Sequence, residues 1–323
     1  MRNRVLLVAL LLALLATTAG GASEAAPASS ESPAVRIAAV GDIACKDPPR
    51  NNRRVCRYDD VSNLVAEVDP DAFLVLGDVQ YEYGRYRDFI ENYDRYFGRF
   101  LPITYPVAGN HDWGVEGAAG YFRYFGRRAR PPEGYYSFDL GTWHVIALDT
   151  DLCSPYYGDP CGPKDPQYEW LKADLAAHPN DEYACTLAYF HHPRWDWLKY
   201  QNASWTESFD LERAAGFWKL LYEARADVVL AGHNHNYQHY LPTDPRGDFD
   251  PDRGVTEFVV GTGGRNLNDL GSQSTRPVNF LTGQDSEFGV LVMRLEPGRY
   301  DYRFASTAAH PGFVDAASDV ACR

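Results

Sequence analysis

The chain has no Cys-x-x-Cys pair, so it lacks the usual spacing of a thiolate zinc site or a dithiol redox motif. Past the first 16 residues it has no apolar run long enough to cross a bilayer. It also has no excess of positive charge: 31 Lys and Arg stand against 44 Asp and Glu, a formal net charge of −13. A surface this acidic repels phosphate backbones and anionic lipid, which argues against nucleic acid or membrane as partner and for solubility. Two further absences concern the N-terminus. Arg2 and Arg4 are separated, so there is no twin-arginine pair, and no cysteine follows the apolar run before Cys45, so there is no lipid-anchor site.

What the N-terminus does have is two arginines, a leucine-rich run and then small residues, in MRNRVLLVALLLALLATTAGGASEAAPA. That order predicts a signal peptide over residues 1–26, cleaved between Ala22 and Ala26, and a secreted or extracytoplasmic protein. Its removal leaves 29 basic and 43 acidic side chains. PASSESPA, residues 27–34, reads as a flexible lead-in, and 35–323 as one domain. The six cysteines, an even number in an exported chain, predict disulfides. Short loops favour Cys45–Cys56 and Cys153–Cys161, leaving Cys185–Cys322 to hold the C-terminus.

Short β-rich apolar runs recur at VRIAAV (35–40), AFLVL (72–76), ITYPVA (103–108), ACTLAYF (184–190), ADVVLA (226–231) and EFVV (257–260). Such runs suit strands buried on both faces. Helical patterns lie among them, near 59–68 and at 86–100, 166–178 and 209–225. The alternation predicts an α/β fold. YYSFDLG (135–141) with WHVIALDT (143–150), and FGVLVMRLEPGRYDYRFAS (288–306), read as antiparallel hairpins, which makes the sheets mixed. PTDPRGDFDPDRG (242–254) is aspartate-rich but lacks EF-hand spacing, so a solvated loop is expected. Asn202-Ala203-Ser204 is a formal glycosylation sequon.

Five of the strand patterns deliver a metal-capable side chain at the C-terminal end: Gly41-Asp42, Gly77-Asp78, Gly109-Asn110-His111-Asp112, His191-His192 and Gly232-His233-Asn234-His235. Open α/β sheets bind ligands at that edge. Glycine precedes the polar residue in four of the five, as where backbone approaches a ligand closely. One Gly-Asp or one His-His pair means little; five at the same point of successive strands do not arise from turn chemistry alone. With Tyr81, the candidates Asp42, Asp78, Tyr81, Asn110, His191, His233 and His235 are too many for one ion. Two ions bridged by a carboxylate would use them all. Oxygen and imidazole donors without thiolate suit Fe, Zn or Mn.

The series Asp42 … Gly77-Asp78-x-x-Tyr81 … Gly109-Asn110-His111-Asp112 … His191 … Gly232-His233-x-His235 closely resembles the calcineurin-like metallophosphoesterases, and within them the purple acid phosphatases. The resemblance runs from about residue 35 to 264, in the family's motif order. Many members carry Asp-x-His in the first motif; here it reads Asp42-Ile43-Ala44, and Ala44 stands where purple acid phosphatases usually have glycine. The tyrosine of Gly-Asp-x-x-Tyr resembles the metal-binding tyrosine of purple acid phosphatases. A phenol titrates near pH 10, so a strongly polarising ion is needed to hold it ionised; Fe(III) is expected at Tyr81.

The resemblance implies a four-layer α/β/β/α sandwich and two metal ions per chain. The first, Fe(III), would take Asp42, Asp78, Tyr81 and His235. The second, Zn, Fe(II) or Mn, would share Asp78 and take Asn110, His191 and His233. His191 is preferred to His192 because the family's ligand precedes a small residue and a proline. The implied reaction is attack of a metal-bound hydroxide on a small-molecule phosphate monoester, with His111, or less favourably His192, as the catalytic imidazole. The rivals are a phosphodiesterase or nucleotidase with the same site, and an extracellular binding module on an inactive scaffold.

Overall fold

The structure is a computed structural model; the residues described are 34–46, 55–153, 161–179, 184–198, 212–272, 274 and 276–323. The predicted leader and the Asn202 sequon lie outside them, as does the lead-in up to residue 33. The chain enters through strand β1 (Val35–Val40), helix α1 (Tyr58–Val68) and β2 (Ala72–Leu76). Short helices α2 (Tyr86–Asp88) and α3 (Asp94–Phe97) then flank a π-helical turn (Phe89–Tyr93), followed by β3 (Thr104–Val107) and α4 (Ala119–Phe125). The hairpin β4 (Tyr136–Leu140) and β5 (Trp143–Ala147) leads to α5 (Pro166–Ala177), β6 (Cys185–Tyr189), α6 (Ala215–Glu223) and β7 (Val228–Ala231). Six strands close the chain: β8 (Tyr237–Tyr240), β9 (Thr256–Val260), β10 (Phe280–Gln284), β11 (Gly289–Glu296), β12 (Arg299–Ser306) and β13 (Ala316–Ala321).

The strands form a six-stranded sheet, β13-β12-β11-β1-β2-β3, and a seven-stranded sheet, β10-β8-β9-β7-β6-β5-β4. Each has a parallel centre, β1-β2-β3 in one and β5-β6-β7-β9 in the other, extended by antiparallel strands. The sheets are therefore mixed, as the sequence predicts. Strand period 2 divides the buried side chains between two cores. Val145, Leu187, Val228, Leu230 and Phe258 join Ile37, Leu74 and Leu291 in a core between the sheets. Ile146, Ala188, Val229 and Ala231 turn the other way, onto Leu171, Phe217 and Trp218 of α5 and α6. On the far side of the first sheet, Phe73 meets Phe97 at 5.9 Å and Tyr58 of α1 lies edge-on to Tyr96. The result is helix, sheet, sheet, helix. Burial on both faces is why these strands read as unbroken apolar runs.

Local chemistry sets the element ends. Asp165 caps α5, its carboxylate accepting from the Gln167 and Tyr168 N–H groups, with Pro166 at the first helical position. The helix expected over 86–100 is present and runs through a π-turn at Phe89–Tyr93, where the Asn92 side chain donates to the Asp88 carbonyl in the widened turn. Tyr93 stacks on Phe97, which in turn stacks on Phe73. Disulfides join Cys45–Cys56, Cys153–Cys161 and Cys185–Cys322. The last ties β6 to the residue after β13, and closing its 137-residue separation contributes about 5 kcal/mol in the chain-entropy view. No helix among the described residues is long and apolar enough to cross a membrane. The aspartate-rich loop is satisfied by itself: Asp244 accepts from the Arg246 and Asp248 N–H groups.

Candidate metal centre

The two sheets meet at one edge. The Gly41 N–H donates to Val260 O (2.9 Å) and the Gly263 N–H to Gly41 O (3.0 Å), joining the end of β1 in the first sheet to the end of β9 in the second. The Asp42 N–H donates to Gly77 O, and the Gly232 N–H to His191 O, so neighbouring strands end level with one another. This brings the strand ends of both sheets to a common point. Gly109 packs where any Cβ would overlap the Asp78 backbone and carboxylate. Gly77 has φ +81°, and a Cβ there would lie 2.5 Å from His191 Nδ1. Close approach of backbone to side chain makes glycine necessary at both.

All seven expected ligand residues lie together. Tyr81 Oη is 2.9 Å from Asp42 Oδ1, 2.9 Å from Asp78 Oδ2 and 2.8 Å from His235 Nε2. On the other side of Asp78, His191 Nε2 is 3.3 Å from Asp78 Oδ1 and 3.2 Å from Asn110 Oδ1. His233 Nδ1 is 3.1 Å from Asn110 Oδ1 and 3.3 Å from His191 Nε2. Asp78 thus faces both halves of the cluster. Asp42, Tyr81 and His235 gather on one side of it, and Asn110, His191 and His233 on the other.

The surroundings aim these groups. The His191 Nδ1–H donates to Leu76 O (2.9 Å) and the His235 Nδ1–H to Asn266 O (2.8 Å), which turns each Nε2 toward the centre. The Asp42 carboxylate accepts from the His233 N–H, and Asp78 from the His111 N–H, each at 2.8 Å. Asp42, Asp78 and His233 hold left-handed backbone, with φ of 61°, 46° and 70°. Each such non-glycine residue costs on the order of 1–3 kcal/mol, and strain of this kind gathers at functional sites.

Protein charges alone leave the cluster electrically unbalanced. Burial, with the Asp42 and Asp78 carboxylates, pushes the Tyr81 phenol well above its ordinary range. Burial works against charge on His191, yet Asp78 outweighs it and lifts the imidazole to about 10. Burial likewise opposes charge on Asp78, and His191 overcomes it and holds that carboxyl below its usual range. The tyrosine oxygen, two carboxylates and three imidazoles offer more lone pairs than there are protons to share, and a cation would satisfy that excess. The donor set therefore fits hard or borderline metal ions.

The two candidate catalytic histidines sit differently. His111 is about one-third exposed; its Nδ1–H donates to Glu82 O (2.7 Å) and Nε2 is 3.9 Å from Asp78 Oδ2. His192 is buried, its N–H and Nδ1 both held by the Thr150 hydroxyl at 3.1 and 2.9 Å. Burial and the neighbouring His233 and His191 push its imidazole well below the ordinary range, so it stays neutral. Ligand atoms of His191, His192 and His233 lie within 4.8 Å of one another.

Three further residues support the cluster; of these, the sequence reading expects only Thr150, which with Asp149 resembles a family strand end that supports the site. Buried Asp112 accepts from the N–H groups of Gly109 (3.0 Å), Val79 (3.0 Å) and Gln80 (3.2 Å), tying the Asp78 loop to the Asn110 loop. It belongs to the Gly-Asn-His-Asp motif, which was the available signal. Thr150 holds His192, as its place at a strand end allows. Arg265 pairs with Glu82 at 2.8 Å and lies 4.8 Å over the Tyr81 ring, and nothing in the sequence marks it. The histidines outside the motifs are tied elsewhere: His144 to Asp139 and Asp174, and His239 to Asp315.

Comparison with known proteins agrees with this geometry. Residues 35–237 match the calcineurin-like phosphoesterase family. Among curated relatives, purple acid phosphatase 21 of Arabidopsis thaliana is 29% identical over 167 residues, 50% of this chain and 34% of that protein. Purple acid phosphatase 15 of the same plant is 26% identical over 268 residues, 71% of this chain and 45% of its own length. The chain thus spans less than half the length of these relatives. Among solved structures, a purple acid phosphatase from yellow lupin superposes with TM-score 0.67 at 18% identity, covering 91% of this chain and 55% of that one. GAP50 of Plasmodium, described as the anchor in the inner membrane complex, gives TM-score 0.62 at 14% identity, covering 90% of each chain. Both structures show the same fold.

Proposed function

Since the chain belongs to the calcineurin-like phosphoesterases, we propose that it is an exported phosphatase of the purple acid phosphatase kind, hydrolysing small phosphate monoesters. The observation that carries this reading is Tyr81 Oη within 2.9 Å of both Asp42 and Asp78 and 2.8 Å of His235. Left to the protein alone, this phenol keeps its proton and donates to the carboxylates; a phenolate at this point requires a strongly charged cation on its oxygen. Asp42, Asp78, Tyr81 and His235 would hold Fe(III); Asp78, Asn110, His191 and His233 would hold Zn, Fe(II) or Mn. When bound, the two ions supply Lewis-acid polarisation of water and of the phosphoryl oxygens.

The chain's own residues do the rest. Asp42 and Asp78, fixed by backbone N–H groups and strained φ, need no reorganisation as charge develops. His111 stands at the open side of the cluster. With Nδ1–H committed to Glu82 O, a proton on Nε2 is the one available to a phosphoryl or leaving oxygen. His192, neutral and held by Thr150, packs its ring 4.4 Å from that of His233 and positions it. The three disulfides are consistent with an oxidising compartment, which supports export.

A neighbour described as an anchor is a reminder that this fold does not by itself prescribe catalysis. Against an inactive scaffold stands the complete set of donors. The test is a visible absorption spectrum of the purified protein with elemental analysis. A tyrosinate-to-Fe(III) band, about two metals per chain, and loss of the band in Tyr81→Phe is the expected result. A colourless protein with two divalent ions overturns the Fe(III) assignment, and a protein that takes up no metal overturns the enzyme reading. Paired monoester and diester assays separate phosphatase from phosphodiesterase.

A further inference from the structure

A second charged feature lies away from the strand-end cluster. The turn after α4 carries Arg127, Arg128 and Arg130 within four positions, all exposed. They line a cavity of about 470 Å³ with Tyr105, Tyr136 and Phe138 among its walls. The cavity sits where the edge strands of the two sheets, β3 and β4, face one another. Tyr105 lies near the start of β3, five residues before Asn110, roughly 17 Å along an extended chain. The cavity is therefore separate from the candidate metal centre.

Some arginines of this chain pair with carboxylates, and these three belong with those that do not. In a protein with 44 acidic and 31 basic side chains, cations readily find carboxylates. Arg87 pairs with Glu91, Arg246 with Asp244, Arg265 with Glu82, Arg294 with Asp301 and Arg299 with Asp319. Among the described residues, Arg127, Arg128 and Arg130 have no carboxylate partner. Arg128 donates only to the Pro102 carbonyl, and Arg130 faces the Tyr136 ring at 5.9 Å. The Tyr136 hydroxyl is already committed to Pro106 O (2.9 Å). Tyr105 and Phe138 stack on one another at 4.1 Å with an 8° interplanar angle, so each covers one face of the other and the cavity meets the outside of that stack beside the guanidinium groups.

Guanidinium forks bind phosphate bidentately, and aromatic walls take up flat rings. The volume falls in the range of small-molecule sites. We infer that this cavity is a second ligand site, for a nucleotide-sized organic phosphate whose phosphates bind Arg127, Arg128 and Arg130 and whose ring lies against the outside of the Tyr105–Phe138 stack. No bond is made or broken there; the site binds.

The probe is the non-hydrolysable β,γ-imido analogue of ATP, titrated calorimetrically into the full protein. The comparison uses Asp78→Asn, the triple variant Arg127→Ala/Arg128→Ala/Arg130→Ala, and Tyr105→Leu. Binding persists in Asp78→Asn and weakens by about 100-fold or more in the triple variant, given the strength of charge-assisted hydrogen bonds. The triple variant, altered only at exposed side chains, keeps its circular dichroism and its monoester kcat/KM. Tyr105→Leu weakens the analogue but not inorganic pyrophosphate. No binding in the wild type overturns the inference, as does binding lost in Asp78→Asn and kept in the triple variant. Equal affinity for pyrophosphate and analogue, unchanged in Tyr105→Leu, overturns the organic class and leaves only charge attraction. Because the readout is binding, it gives an answer even in a protein without phosphatase activity.

Discussion

Two His–Asp clusters in this chain use the same side chains to opposite ends. At the strand ends, Tyr81, Asp42, Asp78 and His235 crowd one another with surplus lone pairs, on strained backbone. At the periphery, His144 Nδ1 meets Asp139 at 3.0 Å and Nε2 meets Asp174 at 2.8 Å, while His178 stacks on its ring at 4.0 Å. There both ring nitrogens are spent on carboxylates, Asp174 also accepts from Ser137, and no left-handed residue takes part. A cluster whose donors and acceptors cancel is a tie between β4, β5 and α5. A cluster whose acceptors outnumber its protons is a site. Residue type does not separate the two, since both groups have side chains a metal could use; the left-handed backbone and the convergence of seven polar side chains do.

Substitutions sharpen that contrast, most strongly at the shared carboxylate. Asp78→Asn removes the charge facing both halves of the centre. It should cost both ions, read by elemental analysis, and on the order of 10³-fold or more in kcat/KM. A variant that keeps two metals would refute the bridging role. His111→Ala should lower kcat by about 10²-fold while metal content stays at the wild-type level; unchanged turnover would remove its acid role. Asp112→Ala should destabilise the protein by about 3 kcal/mol in denaturant unfolding, because three backbone N–H groups lose their acceptor.

The smallest effect belongs to the peripheral tie. His144→Ala should leave phosphatase activity unchanged and cost about 1–2 kcal/mol of stability. Its pH dependence has a definite sign. Burial disfavours the His144 imidazolium, but its hydrogen bonds to Asp174 and Asp139 outweigh that and raise its pKa. That contribution is full below the ordinary value of 6.5 and fades as pH rises through the raised one. Asp174, held below 3.8 by His144 and Ser137 despite its burial, contributes above 3.8 and loses that contribution on acidification. The stability gap between wild type and variant is therefore widest between these values and narrows on either side. A gap that grows toward alkaline pH would show that the pair is not charged as described.

Much of the fold was legible because burial on two faces leaves a one-dimensional trace. AFLVL and ADVVLA read as strands with no knowledge of partners, and β2 and β7 lie within them. The hairpin at 135–150 and the α5 start at Asp165-Pro166 were equally local. The helix over 86–100 was legible too, but not the π-turn within it, whose Asn92–Asp88 contact no periodicity marks. The candidate site was legible for a related reason. Parallel strands end at one edge, so polar residues recurring after successive apolar runs fall there together. Arg265 left no such trace, since it reaches the centre through contacts distant in sequence.

The sequence by itself determined the strand ends, the seven donor residues and their order, because the chemistry of each motif is confined to a few adjacent positions. Only the tertiary structure decided that the two sheets meet at β1 and β9, and that Asp78 faces both halves of the cluster. It alone gave Asp112 two loops to tie and His144 no lone pair to spare. Those are counts of neighbours in space, set when two sheets 10 Å apart or so are packed face to face, and a linear chain does not carry them until it folds.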